Sequence, residues 1–493
     1  MWFGDRWFVC LRLACEGARL SASRTVGCFA VAGRLSTEAS DRRDPRERPT
    51  PHLQRTQRVN EPLFAPYHQT FPAFLLTIGL FYGGVSPEHE VSVISTLQAA
   101  FALRDTGRFD LVPVYVAKDG LWYTGDHLLD PAAYADVPAL LAKAHRVTVE
   151  PSVGGRLSLV EIGAHGLFAH PRRYTVDVAF LGFHGGPGEN GAFQGLCETF
   201  DVPYTGSGVF GSALGMDKVA SKMVCRDQGI PVVPWVAFRE SEWAGREAEW
   251  LDRCEIELSG YPVVAKPSRL GSSIGISLAS DRQALDRAVE EAFRYDEKIV
   301  VEYGVRGLRE VNVSVMGTVN AATPSVIEEP IRTKGQELLT FQEKYQRGGG
   351  NPLAGKGGAK AAPVARGTKQ GGASGMASLD RLIPAPLPDE QTDAIQALAV
   401  RVFQTFECAG LARLDFMIEE ATGRVFFNEI NTIPGSFSFY LWGPSGVPFP
   451  ELATRLVDIA LERHRDKNSR VRSYGVNLLS QKSLSGLKGA KGK

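Results

Sequence analysis

Charge of one sign is missing from this chain: 55 lysines and arginines balance 55 aspartates and glutamates over 493 residues, leaving a formal net charge of zero. A global field that recruits nucleic acid or an anionic membrane is thereby excluded. No apolar run reaches the length of a membrane span. Cysteine is sparse, with seven residues scattered from Cys10 to Cys408, no CxxC pair and no metal-type spacing. An odd, dispersed set points to reduced thiols in a cytoplasmic compartment. Two phosphate signatures are absent as well. Gly83-Gly84, which closes the first apolar run, lacks the GxGxxG spacing of a nicotinamide-binding domain. Lys266 precedes its glycines, whereas a GxxxxGK-S/T loop places its lysine after them. Acidic residues vanish from one internal stretch, 346–378, which is dominated by Gly, Ala, Lys and Arg. Such a sequence buries no core and reads as a long flexible insertion within a domain.

What is present is an ordinary globular composition, 44% hydrophobic and 22% charged, with length for two or three domains. Residues 1–71 stand apart, being arginine-rich around Arg42-Arg43-Asp44-Pro45-Arg46 and without apolar periodicity. Asp5 and Glu16 fit a transit peptide poorly, so a disordered extension or a start codon read too early is expected there. Ordered sequence begins near Phe74, with a buried strand running to Tyr82. A helix follows from about Glu88, with Ile94, Leu97 and Phe101 on one face, and further strands cover Leu111 to Val116 and Val176 to Phe183. This alternation predicts an open parallel α/β sheet with sites at the C-terminal ends of its strands. A second unit opens near Ser207, with a helix from about Asp217 to Gln228 and a strand from Tyr261 to Lys266. A third holds the apolar runs ending at Glu302 and Met316, then a helix from Glu451 to about His464 that packs Leu452, Leu456 and Ile459. The Ser/Gly/Lys-rich end to Lys493 reads as a disordered tail.

One hairpin carries the most chemistry. Leu411-Ala-Arg413-Leu-Asp415-Phe-Met-Ile418 and Val425-Phe-Phe-Asn428-Glu429-Ile-Asn431 flank a Gly-containing turn, the signature of an antiparallel pair. Folded about Thr422, the pair sets Asp415 opposite Glu429, with Asn431 on the same face. Opposed carboxylates are unfavourable unless a cation joins them. An all-oxygen, carboxylate-poor set suits magnesium, which keeps waters and takes further ligands from substrate phosphates. The alternative is a solvated polar face on an edge hairpin. Arg413 shares that face, and a guanidinium beside a cation site makes sense when anionic substrate lies between them. Lys266 ends an apolar strand before the small-residue loop Gly271-Ser272-Ser273-Ile-Gly275, where backbone N–H groups can approach an anion. A solvated strand end beside a flexible turn remains equally open. Lys218, Glu302, His184 and Lys344-Tyr345 each have an ordinary reading when taken singly.

Taken in order, the motifs say more. They run Gly83-Gly84, Glu88-His-Glu90-Val-Ser92, His184-Gly-x-x-Gly-Glu189-Asn-Gly191, Tyr204-Thr-Gly-Ser-Gly-Val209 and Met216-Asp-Lys218. Lys266-Pro-Ser-Arg-x-Gly271-Ser-Ser-x-Gly275, Glu343-Lys-Tyr345, Arg413-x-Asp415 and Asn428-Glu-x-Asn-Thr-x-Pro-Gly435 complete the set. From about Phe74 to Arg465 the chain resembles the D-alanine–D-alanine ligases of the ATP-grasp superfamily. The resemblance implies a mixed α/β fold: an N-terminal open parallel sheet domain (72–206), then a two-lobed ATP-grasp fold. Its central lobe would cover 207–302 and its C-terminal lobe 303–467, with metal site, lid and the 346–378 insertion, before a tail over 468–493. It implies ATP as substrate, magnesium or manganese, two ions in all, D-alanine as the other substrate, a cytoplasmic enzyme and a homodimer.

By the same resemblance Lys218 and Lys266 contact ATP phosphates, Ser273 also binds ATP, Glu302 meets the adenine and Glu310 the ribose, while Asp415, Glu429 and Asn431 hold the metal. Glu88 would bind the ammonium of the first D-alanine, with His184 and Lys344 near its carboxylate. Glu88, Ser272 and Tyr345 would form a hydrogen-bonded set, and Arg413 with the Gly435 N–H would stabilise an oxyanion. Three departures stand out. Tyr440 occupies the place where many family members carry a serine for the acceptor carboxylate, the Glu302-to-Glu310 spacing is one residue long, and the insertion follows Tyr345 directly. That insertion either extends the lid over ATP or is passive. A D-serine- or D-lactate-accepting ligase is the nearest rival, and Tyr345 argues for D-alanine over lactate. A nucleotide-binding relative without catalysis would have lost Arg413, Asp415, Glu429 or Lys266, and all four are present.

Overall fold

The computed structural model describes residues 75–151, 155–163, 170–331, 381–473 and 475. The extension, Lys344, Tyr345, the 346–378 insertion and most of the tail lie outside the described residues. Three sheets organise the rest. The first has seven strands in the order β6-β5-β4-β3-β2-β1-β7. They are β1 (Leu76–Gly83), β2 (Phe109–Val116), β3 (Trp122–Thr124), β4 (His145–Pro151), β5 (Leu157–Glu161), β6 (Arg173–Val176) and β7 (Val178–Leu181). Only β1, β2 and β7 run parallel, and β3 to β6 extend the sheet antiparallel. The expected parallel sheet is therefore one end of it, β2-β1-β7, where β1 is buried on both faces, as parallel strands must be.

Two further differences have local causes. The run from Val176 to Phe183 is broken at Asp177, whose carboxylate accepts from Thr77 N at 2.9 Å, so β6 ends and β7 begins around a charged residue. The first helix spans His89–Asp105, but its buried face is Val93, Leu97, Ala100 and Leu103, while Phe101 is 42% exposed. Alanines let this helix approach closely the last one, Phe449–Asn468, whose Leu452, Leu456 and Val457 join the same core. The helix Phe449–Asn468 thus packs against the first sheet.

The second sheet, in the order β10-β9-β11-β8, is wholly antiparallel: β8 (Trp235–Arg239), β9 (Val263–Pro267), β10 (Ser277–Ala279) and β11 (Lys298–Tyr303). Its core stacks Phe238 between Trp243 and Trp250, with centroids 5.5 and 4.6 Å away. The third sheet follows the order β14-β13-β12-β15-β16. It comprises β12 (Leu308–Gly317), β13 (Ala322–Pro330), β14 (Arg381–Leu382), β15 (Gly410–Glu419) and β16 (Arg424–Asn431). The helix Asp389–Thr405 covers it through Val402 and Phe403. Between the sheets, the helix Lys218–Asp227 starts where Asp217 accepts from Val219 N and Ala220 N, a side-chain N-cap that fixes where Lys218 emerges. Among the described residues no helix is long and apolar enough to cross a membrane, and Cys197, Cys225, Cys254 and Cys408 are buried free thiols.

Candidate active site

The three sheets present their loops to one cavity. Glu88 enters it just ahead of the first helix, His184 and Glu189 from the loop after β7, and Lys218 from its helix start. Ser272 comes from the β9–β10 loop, and Arg413, Glu429, Asn431 and Gly435 from the β15–β16 hairpin and its exit. Ser272 Oγ donates to Glu88 Oε1, joining first and second sheets. Gly185 lies against this pair: a Cβ there would stand 2.6 Å from Glu88 Oε2, and its φ of +64° already requires glycine.

The hairpin meets the expectation. Asp415 and Glu429 are direct partners, as are Arg413 and Asn431, while the register shifts between Asp415 and Phe416. Pairs nearer the turn centre between Ala421 and Thr422, those beyond it on Thr422, so a bulge at Asn428 is what brings the two carboxylates opposite. Asn428 Oδ1 accepts from Lys266 Nζ at 3.2 Å. Arg413 grips Asp415 bidentately at 2.7 and 2.8 Å, and Asn431 donates to Asp415 Oδ2 at 3.3 Å. Burial opposes a charged guanidinium, yet Asp415 outweighs it and holds Arg413 firmly protonated. Lys218 lies 3.2 Å from Glu429 and donates to Leu270 O at 2.7 Å. Each acidic member of the facing pair therefore has a cation at hand.

Beside the cavity sits a second charged cluster. Glu302 is 2% exposed and pairs with Lys266 at 2.7 Å and Lys222 at 3.0 Å. Burial works against its ionisation, but the two lysines overcome this and hold the carboxyl down to about 2. Glu310 and Glu429 add to the field that raises Lys266 against its own burial. Ser273, with φ of +59°, turns the adjoining loop. Tyr440 belongs to a third group: its hydroxyl is 3.2 Å from Glu328, and Arg381 lies 3.9 Å over its ring. The charge of the Glu328 carboxylate reaches Arg413, so this group borders the cavity's guanidinium.

Sequence reasoning passed over Ser95, Lys222, Glu328 and Arg381, and gave Asn428 and Glu189 no role. Lys222 could have been found: it follows Lys218 by four residues and so shares its helix face. Glu328 and Arg381 carried no local signal.

Comparison with known proteins agrees with this geometry. A family model described as the D-ala D-ala ligase N-terminus matches residues 77–207, and one described as the D-ala D-ala ligase C-terminus matches 224–354 and 373–458. The chain belongs to the D-alanine–D-alanine ligase family. The ligase model skips 355–372, inside the acid-free stretch, while its match runs through Glu343-Lys344-Tyr345. The D-alanine–D-alanine ligase of Thermosipho melanesiensis is 34% identical over 408 residues, covering 83% of this chain and 99% of its own. That of Geobacillus kaustophilus is 36% identical over 396 residues, covering 80% and 96%. Among solved ligases, the Coxiella burnetii D-alanine-D-alanine ligase superposes with a TM-score of 0.59 at 29% identity, covering 80% of this chain and 96% of that one. The VanG D-Ala:D-Ser ligase of Enterococcus faecalis gives 0.61 at 26% identity, covering 78% and 100%. The ligase fold is thus a mixed α/β one, as expected.

Proposed function

We propose that the chain ligates two D-alanines into D-alanyl-D-alanine through an acyl phosphate, cleaving ATP to ADP and phosphate, as a step in peptidoglycan precursor synthesis. One observation carries the reading: in a chain of this family, the Glu88–Ser272 pair, Lys218, the Arg413–Asp415 pair and the Glu429–Asn431 face converge on one cavity. The three-domain division at 206/207 and 302/303, a cytoplasmic location suited to four free thiols, and a homodimer belong to the same proposal.

In this mechanism Lys218, Lys266 and the Ser272-Ser273 loop neutralise ATP phosphates, and Glu302 and Glu310 face the nucleoside. Glu302 meets the adenine from within its two lysine pairs, so those lysines fix where its carboxylate stands. Asp415, Glu429 and Asn431 offer hard oxygen donors and no sulfur or imidazole, a set that fits magnesium or manganese. Two such ions, bound there, would neutralise charge on the transferring phosphoryl group. Glu88 holds the donor ammonium, with His184 and Lys344 toward its carboxylate, which attacks the γ-phosphate. The acceptor amine then attacks the acyl phosphate, and Arg413 with the Gly435 N–H faces the oxyanion that forms. Glu88, Ser272 and Tyr345 link the parts that must close to keep water from the acyl phosphate.

A D-serine acceptor is the second reading, favoured by Tyr440 standing in place of the acceptor serine and by the likeness to a D-Ala:D-Ser ligase. One assay tests both: purified protein with ATP, magnesium and D-alanine, D-serine or D-lactate, following phosphate and identifying the product. D-Ala–D-Ala as the main product is expected, D-Ala–D-Ser from D-alanine plus D-serine would favour the second reading, and no ATP turnover with any acceptor would refute both.

A further inference from the structure

Gly435 sits in a turn that the hairpin alone does not hold. Ser436, Phe437 and Ser438 follow it with φ of 52°, 48° and 46°, three consecutive non-glycine residues in the left-handed region. Such backbone persists only where surrounding structure over-determines it. Within the turn, Phe437 N donates to Pro434 O at 2.8 Å. The remaining restraints come from the first sheet's unit. Glu189 Oε1 accepts from Ile433 N at 3.2 Å while its Oε2 accepts from Gly185 N at 2.8 Å, so one buried carboxylate ties the two loops together. Ser95, buried in the first helix, accepts from Ser436 N at 2.9 Å and lies 2.9 Å from His184 Nε2. With its oxygen accepting from Ser436, the Ser95 proton is directed to Nε2. Nδ1–H of the neutral ring then serves the other bond His184 makes, to the backbone of Ile433. Ile433 and Ser436, the residues bracketing Pro434-Gly435, are thereby clamped by three side chains from 244 to 341 residues away in sequence.

We infer that Ser95, His184 and Glu189 are positioning residues that hold the Gly435 N–H in line with the oxyanion across the boundary between the first sheet and the hairpin. This rests on the ligase reading, which gives that N–H its role. Ser95 and Glu189 need not touch the reacting carbonyl, and His184 adds this restraint to its place near the donor carboxylate: each acts by denying the turn an alternative position. Displacing a catalytic donor by about 1 Å is enough to cost about 100-fold in rate. A misaligned acyl phosphate that the amine no longer captures is hydrolysed, returning D-alanine and phosphate.

The test compares wild type with Ser95→Ala and Glu189→Gln, using magnesium, ATP and D-alanine, and measuring phosphate and dipeptide together. Binding of a non-hydrolysable ATP analogue checks folding. The expected result is a fall in dipeptide turnover of about 10- to 100-fold with KM for ATP within about twofold, and more than one phosphate released per dipeptide. A merely structural loss would lower active enzyme while leaving one phosphate per dipeptide. If Ser95→Ala fails to bind nucleotide, Glu189→Gln, which keeps the side-chain volume, is read alone. A folded variant with wild-type turnover and one phosphate per dipeptide overturns the inference. Wild type that turns over no ATP with D-alanine overturns the ligase reading, and the inference with it.

Discussion

Replacing Arg413 with alanine separates two things this side chain does. Its guanidinium is 6% exposed and binds both oxygens of Asp415, which faces Glu429 across the ladder. Removing one partner of a buried ion pair costs about 3–5 kcal/mol, because the other charge is left without its counter-ion. The Asp415 side chain is 13% exposed, so water relieves part of that, and the lower end, about 3 kcal/mol, is expected. Asp415 is then left in need of a cation, while Glu429 keeps Lys218 at 3.2 Å. Magnesium binding only the folded state stabilises by about 2.7 kcal/mol at a hundred times its Kd. The variant should therefore gain more from magnesium than wild type, because in wild type the guanidinium competes for Asp415. In the proposed reaction, loss of an oxyanion donor lowers kcat about 100- to 1,000-fold while KM for ATP holds. Thermal unfolding with and without millimolar magnesium, and product analysis under saturating ATP, read the two effects separately. Dipeptide turnover within about threefold of wild type would refute the oxyanion role. An equal magnesium shift in both proteins would refute the counter-charge reasoning.

Three other outcomes follow from the buried charges and the acceptor side. Glu302→Gln should destabilise by about 3–5 kcal/mol, since it strands two buried lysines, and Lys222→Met by about 1–3 kcal/mol, since Glu302 keeps Lys266. Denaturant midpoints in the reverse order would refute this. Burial lowers His184 from 6.5 to about 4, so the unfolded chain binds its proton first. That contribution is whole above about pH 6.5 and is lost toward pH 4, about 3 kcal/mol at 1.36 kcal/mol per pKa unit. Glu189, raised by burial and by Glu88 from 4.5 to about 7, slopes the other way, its contribution being lost between those values as pH rises. Only the difference between wild type and His184→Gln isolates the first, and parallel stability curves across that range would contradict it. Tyr440→Ser removes the ring under Arg381 and the hydroxyl at Glu328, so the ratio of kcat/KM for D-alanine over D-serine as acceptor should move at least threefold, about 0.7 kcal/mol. An unchanged ratio would take Tyr440 out of acceptor choice.

What could be read from the sequence were the features that local periodicity encodes. Alternation along Leu411–Ile418 and Val425–Asn431 is enough to put Arg413 and Asp415 on one face of their strand and Glu429 and Asn431 on one face of theirs, because a strand's faces are fixed by parity. The buried strand β1 shows itself by an apolar run. Helix facing was harder. Phe101 looks like core by size, but the buried face of the first helix runs through Val93, Leu97, Ala100 and Leu103 and leaves Phe101 exposed. The antiparallel half of the first sheet carries short, weakly apolar strands such as β6, which resemble loops in sequence.

The site was legible in its motifs and illegible in its couplings, and the bulge at Asn428 shows why the two differ. Parity alone, carried from the turn outward, pairs Phe416 with Phe427 and would put Asp415 against Asn428. A single extra residue restores Glu429 to that place and sends Asn428 to Lys266, on another lobe. No local rule places that insertion. Its reason lies in the partner, a lysine already drawn toward Glu302 that takes the Asn428 oxygen as a second acceptor. The Ser95–Ser436 and Glu189–Ile433 bonds are of the same kind. Each satisfies a backbone N–H that its own segment leaves unmatched, and buried donors of that sort are nearly always paired somewhere. A turn whose N–H groups find no local acceptor therefore implies a remote one, and in this molecule those remote acceptors ring the Gly435 N–H.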